Sequence, residues 1–386
     1  MGASLELGAQ VARAFVPGHV VPALLHLRKI VRPKSRVCAL QGVRFSLDGE
    51  RLRIDGTDLH ATLSLETHLD ALFASADFSA VLTLEPLVKA VKRARRGFEL
   101  RLFERAAVVN VDGVASTIPF ASGDDFPEPQ SPDYVLAELS IDLGSLIDAI
   151  TFSSAFTVQE TREPLLDSVC LDVDERGELS VVGTDGYRLG VARPSSSPCA
   201  VTERACRMVL PRGGADVLRG LLSPKGELEV TTATLAIGKR VSTLKWGEYT
   251  LTFTGATGFP AWRALAEQPF SASVRVDADV IGKAVSAKRA ARAMTLCSAG
   301  RDTLCLGSGK PGERVRGVPA AIDGDFPTIG FAPAHMQAVA DHFDGEVSIL
   351  ARSPVMPAMV LRATEAAQAA RARRFALLMP VRITRA

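Results

Sequence analysis

The chain has 386 residues, 47% of them hydrophobic and 23% charged, with a formal net charge of +2. Such a composition excludes a disordered or low-complexity chain, and the length sets an expectation of two or three globular domains. The near balance of charge does not by itself mark a nucleic-acid partner, so that question rests on where the charges lie.

The first helical pattern is LLHLRKIV (24–31), with apolar residues at i, i+3 and i+4. VRFSLDGERLRID (43–55) then alternates apolar and polar residues around Asp48-Gly49, a strand–turn–strand signal that runs into Gly56-Thr-Asp58. LEPLVKAVKRA (84–94) is a second helical pattern, and Asp125-Phe-Pro127 closes this stretch. The same succession then recurs. LIDAITFSSA (146–155), VCLDVDERGELSVV (169–182), Gly183-Thr-Asp185, VLRGLL (217–222) and Gly258-Phe-Pro260 follow in order. VIGKAVSAKRA (280–290) and PAHMQAVADHF (333–343) supply a third pair of helical patterns. The two Gly-Thr-Asp turns stand 127 residues apart, and the chain divides into three units of about 129 residues. Three copies of one α+β unit are therefore expected, at 1–134, 135–268 and 269–386. The third copy lacks the turn, since LCLGSGKPG (304–312) stands in its place, and Phe326-Pro327 comes too early to close it.

Six cysteines, at 38, 170, 199, 206, 297 and 305, form no C-x-x-C and have no histidine at ligand spacing. No metal site or disulfide framework is expected, and reduced thiols in a cytosolic protein are. The N-terminus has no basic segment before an apolar one, and no apolar run approaches the ~20 residues of a membrane span. The six histidines (19, 26, 60, 68, 335, 342) form no H-E-x-x-H, and no P-loop, G-x-S-x-G or G-x-G-x-x-G occurs. An enzyme is not expected, nor a cofactor. His335 and His342, seven apart on one helix, are expected at the surface.

Bases cluster on particular helices. Arg28, Lys29, Arg32, Lys34 and Arg36 lie on or just after the first helical pattern. Lys89, Lys92, Arg93, Arg95 and Arg96 crowd the second, with Glu85 the nearby acid. Lys283, Lys288, Arg289 and Arg292 lie on or just after the first helical pattern of the third copy. The middle copy carries Asp148 on its first helix and Arg212 and Arg219 on or near its second. Such faces bind phosphates by counterion release, without reading sequence.

Phe152-Ser-Ser-Ala155, Thr161-Arg162, Leu166-Asp-Ser-Val169, Gly183 to Leu189, Phe259-Pro260 and Leu378-Met-Pro-Val-Arg-Ile383 together resemble the bacterial DNA sliding clamp family, the beta subunit of DNA polymerase III. The order and spacing of these motifs cover nearly the whole chain. The resemblance is to a divergent member. About 12 residues precede the usual start near Phe15, Thr384-Arg-Ala386 follow the usual end, and the third copy is shortened after its first helix.

The resemblance implies an α+β fold of three clamp units, with helices inside, antiparallel sheets outside, and two chains closing a ring head to tail. It implies a non-catalytic processivity factor, cytoplasmic and associated with the nucleoid, that encircles duplex DNA and tethers partners. Those partners are the replicative polymerase, the clamp loader and other proteins carrying a short clamp-binding peptide. It places the peptide cleft at Leu166, Thr184, Gly186, Tyr187, Arg188 and Leu189 on one wall. Pro260, Leu265, Leu377, Met379, Pro380, Val381 and Arg382 form the other. It turns Arg28, Lys29, Arg32, Lys89, Lys92, Arg93, Arg96, Lys283, Lys288 and Arg289 toward DNA, and puts Ser116, Ile118, Ala290 and Ala291 at the subunit contact. The competing expectation is an accessory, mobile-element or inhibitor-insensitive clamp copy with altered ring function.

Overall fold

The computed structural model describes residues 7–69, 76–158, 163–201, 205–221, 230–255, 258–287, 291–307 and 315–382. Seven α-helices occur among them: α1 (Val20–Leu27), α2 (Leu84–Val91), α3 (Leu143–Ser154), α4 (Arg212–Leu221), α5 (Trp262–Ala266), α6 (Ala278–Ser286) and α7 (Pro333–Ala340). All are short, and helices of this length are marginal on their own, so packing must hold them. α1 buries Val20, Ala23, Leu24 and Leu27, and α2 buries Leu84, Leu87, Val88 and Val91. Both sets follow i, i+3, i+4, i+7; the four large residues of α2 contribute roughly 6–12 kcal/mol when fully buried, and α1, with Ala23 among its four, contributes less.

The structure corrects several expected ends. α1 starts four residues earlier than the 24–31 pattern and stops at Leu27. Residues 29–31 continue as tight turns, with the Lys29 N–H donating to the His26 carbonyl at 3.0 Å. Pro33 lies just beyond, and the residue before a proline disfavours helical backbone. α2 ends at Val91 and α7 at Ala340, each about three residues short of its pattern. α6 ends at Ser286, and Lys288, Arg289 and Ala290 lie outside the described residues, as do Thr161, Arg162 and residues 383–386.

The chain forms two compact units. The first comprises Met1–Ile147, Val173–Gly177 and Ser196–Gly255. Its ten-stranded antiparallel sheet places Tyr249–Thr254 beside Ala61–His68, which pairs with Arg51–Thr57, and that strand in turn with Gly42–Asp48. A four-stranded sheet runs Gln10–Pro17, Gly97–Phe103, Ala107–Val111, Val114–Ile118. The strand Gln10–Pro17 begins ahead of Phe15, so the last residues before the usual start belong to a sheet. The second unit comprises Asp148–Asp172, Glu178–Ser195 and Ala256–Ala386. In its larger sheet Leu179–Thr184, Arg188–Ala192, Arg374–Leu378, Ala358–Arg362, Glu346–Ala351 and Ala272–Asp277 lie side by side. A four-stranded sheet runs Arg316–Pro319, Thr303–Gly307, Met294–Ser298, Ile329–Phe331.

The repeated Gly-Thr-Asp turn is the same device twice. Asp58 Oδ1 accepts from the His60 and Ala61 N–H groups at 2.9 and 2.8 Å; Asp185 Oδ1 accepts from Tyr187 and Arg188 at 2.8 and 2.6 Å. The Thr57 hydroxyl donates to the Ala61 carbonyl at 3.0 Å, and Thr184 to that of Arg188 at 2.8 Å. After each Asp the backbone turns left-handed, at Leu59 (φ 76°) and Gly186 (φ 85°). The glycine that opens each turn lies under a helix end. A Cβ on Gly183 would stand 2.0 Å from the Ser153 carbonyl oxygen, and one on Gly56 2.5 Å from Leu27 Cδ2. Backbone cannot yield as a side-chain tip can. Gly183→Ala is therefore expected to destabilise by about 3 kcal/mol and Gly56→Ala by about 1 kcal/mol. Urea unfolding of the two variants checks the order, and equal costs would contradict it.

Candidate docking cleft and basic helices

All the described residues expected at the cleft fall in the second unit. Arg188–Ala192 pairs antiparallel with Arg374–Leu378, Arg188 opposite Leu378 and Leu189 opposite Leu377. Beyond the last rung the Met379 N–H donates to the Tyr187 carbonyl at 2.9 Å, and the Val381 N–H to the Gly330 carbonyl at 2.8 Å. The first bond holds Met379 against the Gly-Thr-Asp turn, and the second ties Val381 to the strand Ile329–Phe331. Tyr187 (61% exposed) and Met379 (37% exposed) stand out as large side chains open to solvent. The Tyr187 ring tilts against His335 with centroids 5.3 Å apart.

His335 is thus half-buried against Tyr187 beside the candidate cleft, which its sequence position alone could not reveal. Burial, with a smaller contribution from Arg188, outweighs Asp185 and pushes its imidazole below the usual value. At neutral pH the ring is therefore uncharged, and suits an apolar contact. His342 is also shifted down, first by burial. Its ring lies 5.6 Å from Phe156 and 6.1 Å from Phe152. Arg188 is locked by Asp185 through Nη2 at 2.7 Å and Nε at 2.9 Å, so its charge is partly spent.

The remaining cleft residues divide by burial. Leu377 (2% exposed), Leu189 and Thr184 are buried and serve as floor. Leu166, Leu265, Pro380 and Val381 are half-buried, and Gly186, Pro260 and Arg382 are exposed. Leu265 rides on α5, which Trp262 pins to the same sheet. The Trp262 indole donates to Asp172 Oδ2 at 2.7 Å, and its ring lies 6.3 Å from that of Phe375. Arg263 adds a bond to Asp172 Oδ1 at 3.0 Å. A cavity of about 580 Å³, lined by Phe270, Asp323, Leu350 and Arg371 among others, contains none of the cleft residues.

The first unit repeats this backbone without its anchors. There the Thr254 N–H donates to the His60 carbonyl at 2.9 Å, where the second unit uses Met379 and Tyr187. The scaffold is duplicated, while the aromatic and thioether side chains occur at one copy.

The basic clusters of the first unit converge. α1 packs against both α2 and α4. A Cβ on Gly213 would meet the Lys29 carbonyl oxygen at 3.5 Å, and one on Gly220 the His26 Nδ1 at 3.7 Å, ordinary contact distances that show how near α4 lies to α1. Lys29, Lys89, Lys92, Arg93, Arg95 and Arg96 are exposed. Folding also brings acids that the local sequence lacks. Arg28 makes a two-pronged bond to Glu85, 2.9 Å on each arm, and Arg32 reaches Asp58 at 3.2 Å. Arg212 and Arg219 share Asp216. Burial, and then the neighbouring Lys29, lower the pKa of His26, which adds no charge at neutral pH. Lys283 is exposed on α6 in the second unit, and Asp148 on α3 is paired with Arg374.

Of the expected contact residues, Ile118 is buried within the first unit, while Val114 to Thr117 on the same outer strand are more open. Ala291 is half-buried. Among the described residues no three His, Cys, Asp or Glu side chains come together as a metal site, and no helix is long and apolar enough to cross a membrane.

No protein-family model matches the chain. The beta sliding clamp of Caulobacter vibrioides is 25% identical over 359 residues, covering 89% of this chain and 93% of that protein. The DNA polymerase III beta subunit of Thermotoga maritima superimposes with a TM-score of 0.79 at 18% identity, over 97% of this chain and all of that one. The griselimycin-bound sliding clamp of Pseudomonas aeruginosa gives a TM-score of 0.78 at 20% identity, over 96% of this chain and 99% of that one. The fold is that of the DNA sliding clamps, built of helices on antiparallel sheets. Within that class the chain is a divergent relative of the bacterial beta sliding clamp.

Proposed function

We propose that this chain is a DNA sliding clamp, a non-catalytic subunit whose ring encircles duplex DNA and tethers the replicative polymerase and other peptide-bearing partners. The observation that carries the reading is Met379 held against the 184–188 turn, within a fold shared along nearly its whole length with beta clamps. The protein acts in the cytoplasm, on the nucleoid. Its three modules are 1–134, 135–268 and 269–386; the matching hydrogen bonds of the two Gly-Thr-Asp turns support this division.

Two copies close the ring head to tail. In each four-stranded sheet an outer strand, Val114–Ile118 in one and Arg316–Pro319 in the other, has an edge unpaired among the described residues, and open edges invite another strand. The exposed Lys29, Lys89, Lys92, Arg93 and Arg96 face the DNA, with Lys283 from the third module. Arg28 and Arg32 contribute less, because Glu85 and Asp58 already hold them. Protein placed on nicked circular plasmid by the clamp loader is expected to stay through gel filtration and to fall off once the plasmid is cut. Light scattering of the free protein is expected to give the mass of two chains. Equal retention on linear and circular DNA, or a monomer at every concentration, would overturn the ring.

The cleft takes clamp-binding peptides of Gln-Leu-x-Leu-Phe type, with Tyr187, His335 and Met379 as the accessible anchors. Met379→Ala is expected to weaken such a peptide about thirtyfold, the ~2 kcal/mol of a truncated central anchor. Calorimetry decides it, and unchanged affinity would remove the cleft from this account.

A further inference from the structure

Cys297 and Cys305 are directly opposed on neighbouring antiparallel strands, Met294–Ser298 and Thr303–Gly307. Opposed residues project from the same face. Here that face is the outer one: Leu296, Leu304 and Leu306 on the other face are fully buried, while both cysteines are half-exposed. The Cys297 Sγ lies 3.9 Å from the Cys305 carbonyl oxygen. On its far side Cys305 is opposite Gly317, which has no side chain to cover the sulfur.

The spacing suits a labile bond. The Ala299 N–H donates to the Thr303 carbonyl at 2.9 Å, and hydrogen-bonded rungs recur every second residue, so 297/305 is such a rung. Its Cα atoms stand about 5.5 Å apart, within the reach of a disulfide. Its Cβ atoms are wider apart than a relaxed disulfide prefers, and strain makes the bond easier to reduce. Such a pair is a poor permanent staple and a good reversible one.

We propose that Cys297 and Cys305 form an oxidation-responsive dithiol that closes into a cross-strand disulfide on meeting a peroxide. One thiolate attacks the peroxide, forming an S–O bond as the O–O bond breaks, and a water leaves after proton transfer. The second sulfur attacks the resulting sulfenic acid, the S–S bond forms, the S–O bond breaks, and a second water leaves. Two thiols lose two electrons and the peroxide gains them. A dithiol reductant reverses the bond by exchange. The rung lies between the strand Ile329–Phe331, which holds Val381 through Gly330, and the outer strand Arg316–Pro319. The bond therefore constrains the sheet between those two edges.

The folded full-length protein is treated with hydrogen peroxide, alkylated and digested with trypsin. Arg301 lies between the two cysteines, so they leave on separate peptides, 293–301 and 302–314. The expected product is these two peptides joined, two hydrogens lighter than their sum, and separated by dithiothreitol. Cys38→Ser and Cys199→Ser, which remove the exposed thiols, are expected to leave the linked product unchanged. Recovery of Cys297 and Cys305 as alkylated thiols or unlinked sulfinic acids, or either one linked to Cys38 or Cys199, would overturn the proposal.

Discussion

Asp55→Ala is expected to destabilise the first unit by about 3–5 kcal/mol, the cost of removing one partner from a buried ion pair. Asp55 is 0% exposed and accepts from Arg44 Nε at 3.2 Å, Arg44 Nη2 at 2.8 Å, Arg53 Nε at 2.9 Å and the Ser64 hydroxyl at 2.6 Å. Arg44 is buried too, and its guanidinium lies 4.9 Å from the centroid of the Phe126 ring. The network thus ties the Asp125-Phe-Pro127 segment to the sheet. Without Asp55, the acid left to Arg44 among the described residues is Glu128, whose side chain is 74% exposed. Hydrogen bonding to Arg44 holds the Glu128 carboxyl below the usual range. Its contribution is present above the ordinary glutamate value and is lost as pH falls through the lowered one; solvent screening keeps it small. Asp55→Ala with Arg44→Met is expected to recover part of the loss, since an apolar replacement leaves no charge stranded. Urea unfolding measures both. A cost below about 1 kcal/mol for Asp55→Ala would show that the network does not hold the segment.

Reversing Lys92, Arg93 and Arg96 to Glu is expected to lower DNA affinity by roughly 10²–10³-fold near 0.1 M salt. Removing three phosphate contacts also cuts the slope of log K against log salt by about 2.7. These side chains follow the end of α2 and are exposed, and none makes an ion pair among the described residues. Arg240→Glu is the control, an exposed base at a strand turn where it pairs with Asp133. Retention on circular plasmid at several salt concentrations tests the pair. An unchanged slope in the triple variant would remove these bases from the DNA contact. A strong preference for one duplex sequence would contradict sequence-blind binding.

The local devices were legible because their physics is local. Gly-Thr-Asp closes its own turn within five residues, and an apolar stripe at i, i+3, i+4 needs only one helix to exist. The motifs that resemble the clamp family also lay open in the chain, since Thr184 to Leu189 and Met379 to Arg382 are contiguous runs. Helix ends were less legible, because the stripe runs past Leu27 into Lys29, Ile30 and Val31, whose tight turns bury the same apolar face.

What tertiary structure alone decided is which distant groups meet. The bases near 28–36 read as unpaired along the chain, yet Glu85 lies 57 residues from Arg28 and takes two of its hydrogens. His335 reads as a surface residue until pairing of Arg188–Ala192 with Arg374–Leu378 and the packing of α7 bring it against Tyr187. Cys297 and Cys305 read as scattered thiols until strand register makes them opposite. The sequence by itself determined the turns, the helix faces and the family likeness, because each rests on residues a few positions apart. Strand pairing determined the ion pairs, the aromatic contact beside the candidate cleft and the thiol rung, because only a closed sheet brings residues of such separation within bonding distance.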